Sequence, residues 1–199
     1  MKKNNIFLIS LLLMGFVLIL TRSCTKDDNK DQTIDATVKD IDGNVYKTVT
    51  LDKQVWMVDN LKVTKYNDNS NIPTANFGWY NNDMTANKNI YGALYDWTAV
   101  NTGKLAPSGW HVPTDTEWQT LSIYLKSSGK SFTPTLGGAK FSSGFFAGKD
   151  QTGYWWSSTI ISTFGNTNSC SRRLDGLIGT YDYDESPRNE WLSVRCLKN

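Results

Sequence analysis

The 199-residue sequence has little of several features that would point to a known activity. His111 is its only histidine, which excludes a metal centre built from several histidines. It has no Lys/Arg run, so neither nucleic acid nor an anionic membrane surface is an expected partner. No internal repeat, phosphate-binding loop or nucleophile elbow is present, and no carboxylate pair can be singled out for glycoside hydrolysis. These absences favour a non-catalytic role.

The sequence also lacks an apolar run long enough to cross a membrane. Residues 6–20 form a largely apolar run of 15 residues, whereas a membrane-spanning helix needs roughly 20. Lys2 and Lys3 precede this run, and a positive start before a short apolar segment is typical of a secretory signal. Residues 1–23 are therefore predicted to be a lipoprotein signal peptide.

Cys24 follows this segment directly. Leu20 lies four residues before it and the small Ser23 just before it, which resembles a lipobox, the site at which a cysteine becomes the acylated first residue. Thr21 and Arg22 depart from the usual pattern, so simple cleaved secretion and an uncleaved anchor remain alternatives. We expect lipidation at Cys24, a lipid anchor in the membrane, and an outer-membrane address.

Residues 24–33 have no large apolar side chain, so they are predicted to be a flexible tether. Lys26-Asp27-Asp28 resembles the surface-export signal of Bacteroidetes lipoproteins, which leaves both outward display on the cell surface and an inward orientation open. Loss of the signal would leave 18 basic and 19 acidic residues, a nearly neutral mature chain.

With Cys24 lipidated, Cys170 and Cys196 remain as a pair in an oxidising compartment. A disulfide between them would contribute about 3–4 kcal/mol by restricting the unfolded chain. The alternative is two buried free thiols.

The pattern along residues 34–199 predicts one domain with many short strands. Turns at 41–44 and 52–53 separate three strands, and residues 67–76, 81–89 and 131–153 are expected to be loops. Residues 91–100 are predicted to form a strand. Thr114 followed by Glu117 predicts a capping box, and Trp118, Leu121 and Leu125 recur at helical spacing, so a helix is expected to end near Gly129.

Six motifs in order carry a resemblance to a known family. They are residues 40–49 (DIDGNVYKTV), 56–61 (WMVDNL), 91–97 (YGALYDW), 109–118 (GWHVPTDTEW), 153–158 (GYWWSS) and 193–196 (SVRC). Together they resemble the Fibrobacter succinogenes major paralogous domain (FISUMP), which occurs in exported proteins of Fibrobacteres and Bacteroidetes. The resemblance covers essentially the whole of residues 34–199 and names no reaction.

The 109–118 and 193–196 motifs are also similar to segments of the formylglycine-generating enzymes, whose fold is a variant of the C-type lectin fold. This similarity implies an α+β domain with C-type-lectin-like mixed β-sheets, one or two short helices and long ordered loops. Those enzymes use a closely spaced cysteine pair that binds copper. Cys196 has no near cysteine neighbour, which disfavours that reaction here.

Three hypotheses for function follow. In the first, the domain is a binding or adhesion module for carbohydrate or another surface protein, with Trp79, Tyr80, Trp155 and Trp156 as candidate ligand contacts; each of these rings could instead fill the core. In the second, it is a structural surface scaffold. In the third, it is an enzyme with His111 as a lone general base, although a structural role beside the capping box is favoured.

No cofactor is expected. The tripeptide motifs through which C-type lectins bind sugar via calcium are absent. Asp182, Asp184 and Glu185 could offer oxygen ligands to a hard cation such as calcium, but a solvated acidic loop is the favoured interpretation.

Overall fold

The computed structural model describes residues 34–162, 165, 167–176 and 181–199, all within the compact unit Asp31–Asn199. The predicted signal peptide, the lipidation at Cys24 and the tether lie outside the described residues. The helices among the described residues include none that is long and apolar enough to span a membrane.

Short strands dominate the described residues. They are β1 (Ala36–Lys39), β2 (Val45–Leu51), β3 (Gln54–Met57), β4 (Phe77–Gly78), β5 (Leu94–Tyr95), β6 (Trp110–His111), β7 (Gly137–Lys140), β8 (Phe146–Lys149), β9 (Thr152–Trp156), β10 (Asn168–Asp175), β11 (Tyr181–Pro187), β12 (Leu192–Ser193) and β13 (Leu197–Lys198). The helices are α1 (Met84–Tyr91), α2 (Trp97–Val100) and α3 (Asp115–Ser128), and Tyr80–Asn82 forms a 3₁₀ turn.

The strands form two sheets. The first has the order β1-β2-β3-β13-β6 and is antiparallel throughout. The second has the order β11-β10-β9-β12-β5-β4 and is extended by the β7–β8 hairpin. It is mixed, because β9 runs parallel to both β12 and β7. The α+β class expected from the sequence agrees with this arrangement of sheets and few helices.

The predicted three-stranded entry is confirmed as β1, β2 and β3. Its first turn is fixed by Asp40, whose carboxylate accepts hydrogen bonds from the backbone N–H groups of Asp42 and Asn44. Gly43 has φ +79°, a conformation that glycine adopts without steric cost. A turn built from local hydrogen bonds of this kind is visible in sequence.

Two clusters of buried side chains form the core. One gathers residues from β2, β3, β5, α2 and β12, including Trp97 and Trp156. The other is aromatic: Trp56, Trp118 and Trp155 pack with Phe132 and Tyr181, with neighbouring ring centroids 4.7–6.4 Å apart. Each such ring buries a large apolar area, so the core needs few helices to be stable.

Helix α3 confirms the prediction made from its caps. Thr114 Oγ1 accepts from the Glu117 backbone N–H at 3.3 Å, and the Glu117 carboxylate accepts from the Thr114 N–H at 2.7 Å. Gly129 closes the helix in the left-handed conformation, with φ +64°.

The segments 81–89 and 91–100 were assigned wrongly. Residues 84–91 form α1, capped by Asp83, whose carboxylate accepts from the Ala86 N–H at 3.0 Å. The polar composition of α1 hides it, since no apolar stripe marks the helical period. Only Leu94–Tyr95 is a strand in the second segment, because Asp96 caps the short helix α2 by accepting from the Ala99 N–H.

Residues 67–76 lie outside helices and strands, as predicted. The expectation of a loop over 131–153 was wrong in part, because the segment contains β7 and β8. Gly138 lies in this hairpin with φ +65°, and a Cβ there would come within 2.4 Å of the Ala147 carbonyl oxygen. Only glycine therefore fits at this position of the hairpin.

Candidate functional site

Several of the six sequence motifs meet at a buried hydrogen-bond network centred on Asn60. The Asn60 amide nitrogen donates to the carbonyl oxygens of Tyr91 at 2.9 Å and Thr135 at 3.1 Å. Its amide oxygen accepts from Trp155 Nε1 at 2.9 Å and from Arg195 Nη2 at 3.1 Å. The Asn60 side chain is buried, so through it these motifs connect distant parts of the fold.

Arg195 is fully buried beside this network. Its guanidinium lies 4.7 Å from the Phe132 ring centroid and 5.6 Å from that of Trp155. Among the described residues no carboxylate lies within ion-pair distance of it. Burial lowers the pKa of Arg195 to about 10. The charged guanidinium of Arg195 therefore contacts two aromatic rings and the Asn60 side chain, at a position that solvent does not reach.

His111 joins three parts of the chain. Its Nδ1 lies 2.7 Å from Asn199 Oδ1, and its Nε2 lies 3.0 Å from both carboxylate oxygens of Glu117. Nε2 therefore donates its proton to Glu117. The predicted structural role of His111 next to the capping box is confirmed, because both ring nitrogens are engaged.

The predicted disulfide is absent. Cys170 and Cys196 are both free and buried. Cys170 lies in β10, with its Sγ 3.8 Å from Tyr183 Oη, whereas Cys196 lies in the first core cluster beside β13. Burial raises the pKa of both thiols. The even pair of cysteines that remains if Cys24 carries lipid suggested a bridge, but sequence does not show that the two thiols sit in different parts of the core.

Trp155 and Trp156 were wrong candidates for ligand contact. Both are 0% exposed. The Trp155 indole belongs to the Asn60 network, and Trp156 Nε1 donates to the Tyr95 carbonyl at 2.7 Å. Tyr80 is almost buried and Trp79 is half-buried, so of the four predicted contacts only Trp79 presents much of its ring to solvent.

Trp79 and Tyr80 nevertheless lead to a candidate surface. Its contacts run from Trp191 through Lys140, Phe146, Tyr80 and Lys149 to Tyr91; we call these six residues the aromatic–lysine row. The Lys140 ammonium lies 3.8 Å from the Trp191 centroid and 5.8 Å from that of Phe146. Phe146 and Tyr80 have centroids 5.3 Å apart.

The row continues beyond Tyr80. The Lys149 ammonium lies 5.4 Å from the Tyr80 centroid and 5.0 Å from that of Tyr91. A second ring and ammonium stand next to it, since Trp79 adjoins Tyr80 and the Lys88 ammonium lies 5.9 Å from the Trp79 centroid. Aromatic rings and ammonium groups thus adjoin one another along this chain of contacts.

Backbone contacts around the row fix the positions of its side chains. Lys140 and Phe146 are paired across the β7–β8 hairpin, and the backbones of Lys140 and Trp191 exchange hydrogen bonds of 3.0 and 2.9 Å. A Cβ at Gly78 would lie 2.5 Å from the Trp191 ring. Trp191 therefore packs flat against the chain at Gly78, with the Lys140 ammonium also in contact with its ring.

A family model described as the Fibrobacter succinogenes major domain matches residues 49–135. This match supports the resemblance carried by the motifs that lie within it, at 56–61, 91–97 and 109–118. No curated protein and no solved structure matches the chain.

The part of the chain that matches the Fibrobacter succinogenes major domain includes Asn60, Trp79, Tyr80 and the capping box of α3. It ends at residue 135, and therefore before Lys140, Phe146, Lys149 and Trp191. The aromatic–lysine row is thus shared between the matched part and the segment that follows it.

The acidic candidates do not gather on one face of the described structure. Asp182, Asp184 and Glu185 lie on β11, where Glu185 points to the opposite face from the other two by strand alternation. Glu185 accepts a hydrogen bond from Tyr183 Oη at 2.8 Å. Among the described residues no group of three or more His, Cys, Asp or Glu side chains is placed to hold a metal ion.

A cavity of about 320 Å³ lies beside the C-terminal half of α3. Its walls include Leu125, Phe132, Leu136 and Tyr181, with Lys126 and Lys130 also in the lining. The walls are mostly apolar, and Phe132 and Tyr181 belong to the core. This cavity offers few polar groups that could orient a ligand.

Sequence reasoning missed both lysines and three rings of the row, those of Tyr91, Phe146 and Trp191. Lys140, Phe146 and Lys149 lie in a Gly/Ser-rich segment that was expected to be a loop, and Trp191 is distant from them in sequence. The only signal was the Trp79-Tyr80 pair. No local pattern could have shown that these residues come together, because the contacts depend on the packing of the β7–β8 hairpin.

Proposed function

We propose that this domain is a non-catalytic glycan-binding module and that the aromatic–lysine row is its binding surface. The observation that carries this proposal is the continuous row of rings and ammonium groups at the surface, outside the two core clusters. Most of these rings are half-buried although other aromatic side chains already fill the core. Because these rings lie outside the two core clusters, we infer that they contact a ligand.

The geometry suits a sugar chain. The C–H faces of pyranose rings are apolar and their hydroxyl groups are polar, so a glycan pairs well with rings that alternate with polar groups. Phe145, which is 68% exposed, precedes Phe146 at the tip of the β7–β8 hairpin and adds apolar surface there. An extended surface of this kind favours a chain of sugars over a single small molecule.

The fold and the address proposed here are consistent with binding outside the cell. We assign a C-type-lectin-like fold, supported by two sheets with a mixed strand order and by β13, which pairs with β3 of the N-terminal meander. We further propose that the chain is an outer-membrane lipoprotein anchored at Cys24. The signal-like segment 1–23 and the family assignment support this address.

Two contacts support a non-catalytic role. Both ring nitrogens of His111 are hydrogen-bonded within the protein, to Glu117 and to Asn199, which favours a structural role for this residue beside the capping box. Cys196 is buried and is not paired with Cys170, so the closely spaced thiol pair of the formylglycine-generating enzymes has no counterpart in these two residues.

A polysaccharide array probed with the purified full-length protein in detergent tests the proposal. Trp191→Leu removes a ring of the row but keeps apolar packing, and we expect it to weaken retention about tenfold or more, whereas Trp191→Phe keeps part of the binding. Ile123→Leu is the matched control, because Ile123 is 61% exposed on α3 and lies outside the row.

Two outcomes would contradict the proposal. A folded parent protein that retains no polysaccharide would favour the structural scaffold instead. Equal retention by the parent and by Trp191→Leu, with the same unfolding temperature, would place the binding elsewhere on the domain.

A further inference from the structure

We infer that the glycan bound by the aromatic–lysine row is acidic, with carboxylate or sulfate groups along its chain. This inference rests on the proposed function and specifies its ligand class. Three ammonium groups, those of Lys88, Lys140 and Lys149, lie within 6 Å of the rings that form the surface. A neutral glycan has no charged group that could pair with these ammonium groups.

The three lysines are not neutralised by the protein. Within the part of the chain that the structure describes, no carboxylate lies within 4.0 Å of any of their ammonium groups. Two carboxylates are nearby: Asp150 accepts from Tyr91 Oη at 2.7 Å, and the buried Glu190 faces Ser142 at 3.4 Å. The mature chain is close to neutral overall, so the positive charge is concentrated locally.

Aromatic rings hold the ammonium groups in place. Lys140 Nζ lies 3.8 Å from the Trp191 centroid, and the Trp191 ring is itself fixed against Gly78. A cation over a ring face is attracted by the negative face of the π-system. Because these side chains are already ordered, binding an anion costs them less conformational entropy than it would cost free surface lysines.

The spacing of the charges favours a polymer. Lys140 contacts Trp191 and Phe146, while Lys149 contacts Tyr80 and Tyr91, so the Phe146–Tyr80 ring pair stands between the two ammonium groups in the chain of contacts. One monosaccharide carries too few acidic groups to meet both. A chain with an acidic group on successive sugars can place carboxylates at both lysines while its rings lie over Phe146.

The direct test compares two oligosaccharides of the same length and linkage, a β-1,4-linked oligoglucuronate and the corresponding neutral cello-oligosaccharide. Titrated into the full-length protein in detergent at low salt, the oligoglucuronate is expected to bind about tenfold more tightly or better, as two to three surface charge pairs allow. The preference is expected to shrink as salt is added, because exposed charges are screened.

Lysine-to-glutamine variants identify which charges cause the preference for the oligoglucuronate. The double substitution Lys140→Gln with Lys149→Gln is expected to abolish the preference for the oligoglucuronate. Lys53→Gln removes the same kind of charge from the exposed turn between β2 and β3, outside the row, and is expected to keep it. A preference that survives the double substitution, or that Lys53→Gln reduces equally, would overturn the inference.

The remaining outcomes separate this inference from the proposed function. Equal binding of the two oligosaccharides overturns the acidic ligand and leaves glycan binding in place. If the protein binds neither oligosaccharide, the acidic ligand and the proposed glycan-binding function are both contradicted. Vesicles that contain anionic phospholipid serve as a further arm, and lysine-dependent binding to them without binding to the oligoglucuronate would replace the glycan with a membrane surface.

Discussion

Asn60 shows how single residues connect distant parts of this chain. Its side chain bonds to groups that lie 31, 75, 95 and 135 residues away in sequence. The motif at 56–61 could be recognised in the sequence, but its role could not be inferred, because each of its partners is non-local. The structure assigns it to the internal framework of the domain.

Replacing Asn60 with alanine is expected to destabilise the domain severely. The substitution would leave buried donors on Trp155 and Arg195 and buried carbonyls at Tyr91 and Thr135 without this partner. Each buried group that loses its partner costs about 1–3 kcal/mol, so a loss of at least about 3 kcal/mol is expected in the free energy of unfolding. Chemical denaturation of the full-length protein measures it.

Asn89→Ala provides the control, because Asn89 is exposed on α1. We expect a change within about 0.5 kcal/mol for this variant. An Asn60→Ala protein as stable as Asn89→Ala would show that the network contributes little to the fold.

The tryptophans show the limits of sequence reasoning at the same scale. Composition predicted that most rings would fill the core, and Trp56, Trp118, Trp155 and Trp156 do so. Composition could not say which rings remain at the surface, and two of the four named candidates, Trp155 and Trp156, proved to be fully buried. Burial depends on neighbours from other strands, which the local sequence does not reveal.

At the scale of helices and strands, the sequence predicts well those features that contacts between neighbouring residues determine. The Asp40 turn and the α3 caps each involve groups within a few residues of one another, and both were predicted. Helix α1 and the β7–β8 hairpin were missed, because the first lacks an apolar stripe and the second is stabilised by its pairing with β9 and by a glycine at Gly138.

Helix α3 has an acid-sensitive N-terminus. Burial alone would raise the pKa of Glu117, but hydrogen bonds from Thr114 and His111 outweigh it, so this pKa lies below its usual value of 4.5. The folded state therefore favours the carboxylate. Its contribution to stability is present above the usual pKa and is lost as the pH falls through the lower folded-state value.

Glu117→Gln is expected to lower the free energy of unfolding at pH 7 by about 1 kcal/mol, the usual value of a capping contact. The difference from the parent should shrink as the pH falls below about 4.5, because the parent loses the same interactions on protonation. Urea denaturation from pH 7 to pH 3 measures both curves. Glu185→Gln, on the exposed part of β11, is the control. A difference that stays constant with pH would contradict this account.

At the scale of the whole molecule, the domain combines two short-stranded sheets with an unusually aromatic core. The sequence predicted the α+β class, the strand-rich N-terminal meander and a family resemblance that a family model supports over residues 49–135. The aromatic–lysine row could not be predicted, because it unites a 3₁₀ turn, a helix, a hairpin and the segment before β12. Such a surface exists only once both sheets and their connections are packed.

The central claim is that ligands meet this domain at the aromatic–lysine row and not in its core or in the cavity beside α3. Nuclear magnetic resonance of the ¹⁵N-labelled full-length protein in detergent, titrated with the β-1,4-linked oligoglucuronate, tests it most directly through the tryptophan indole signals. We predict that the Trp79 and Trp191 signals shift while those of the buried Trp155 and Trp156 stay in place. Shifts confined to backbone amides around Leu125 and Phe132, with Trp79 and Trp191 unchanged, would contradict the claim.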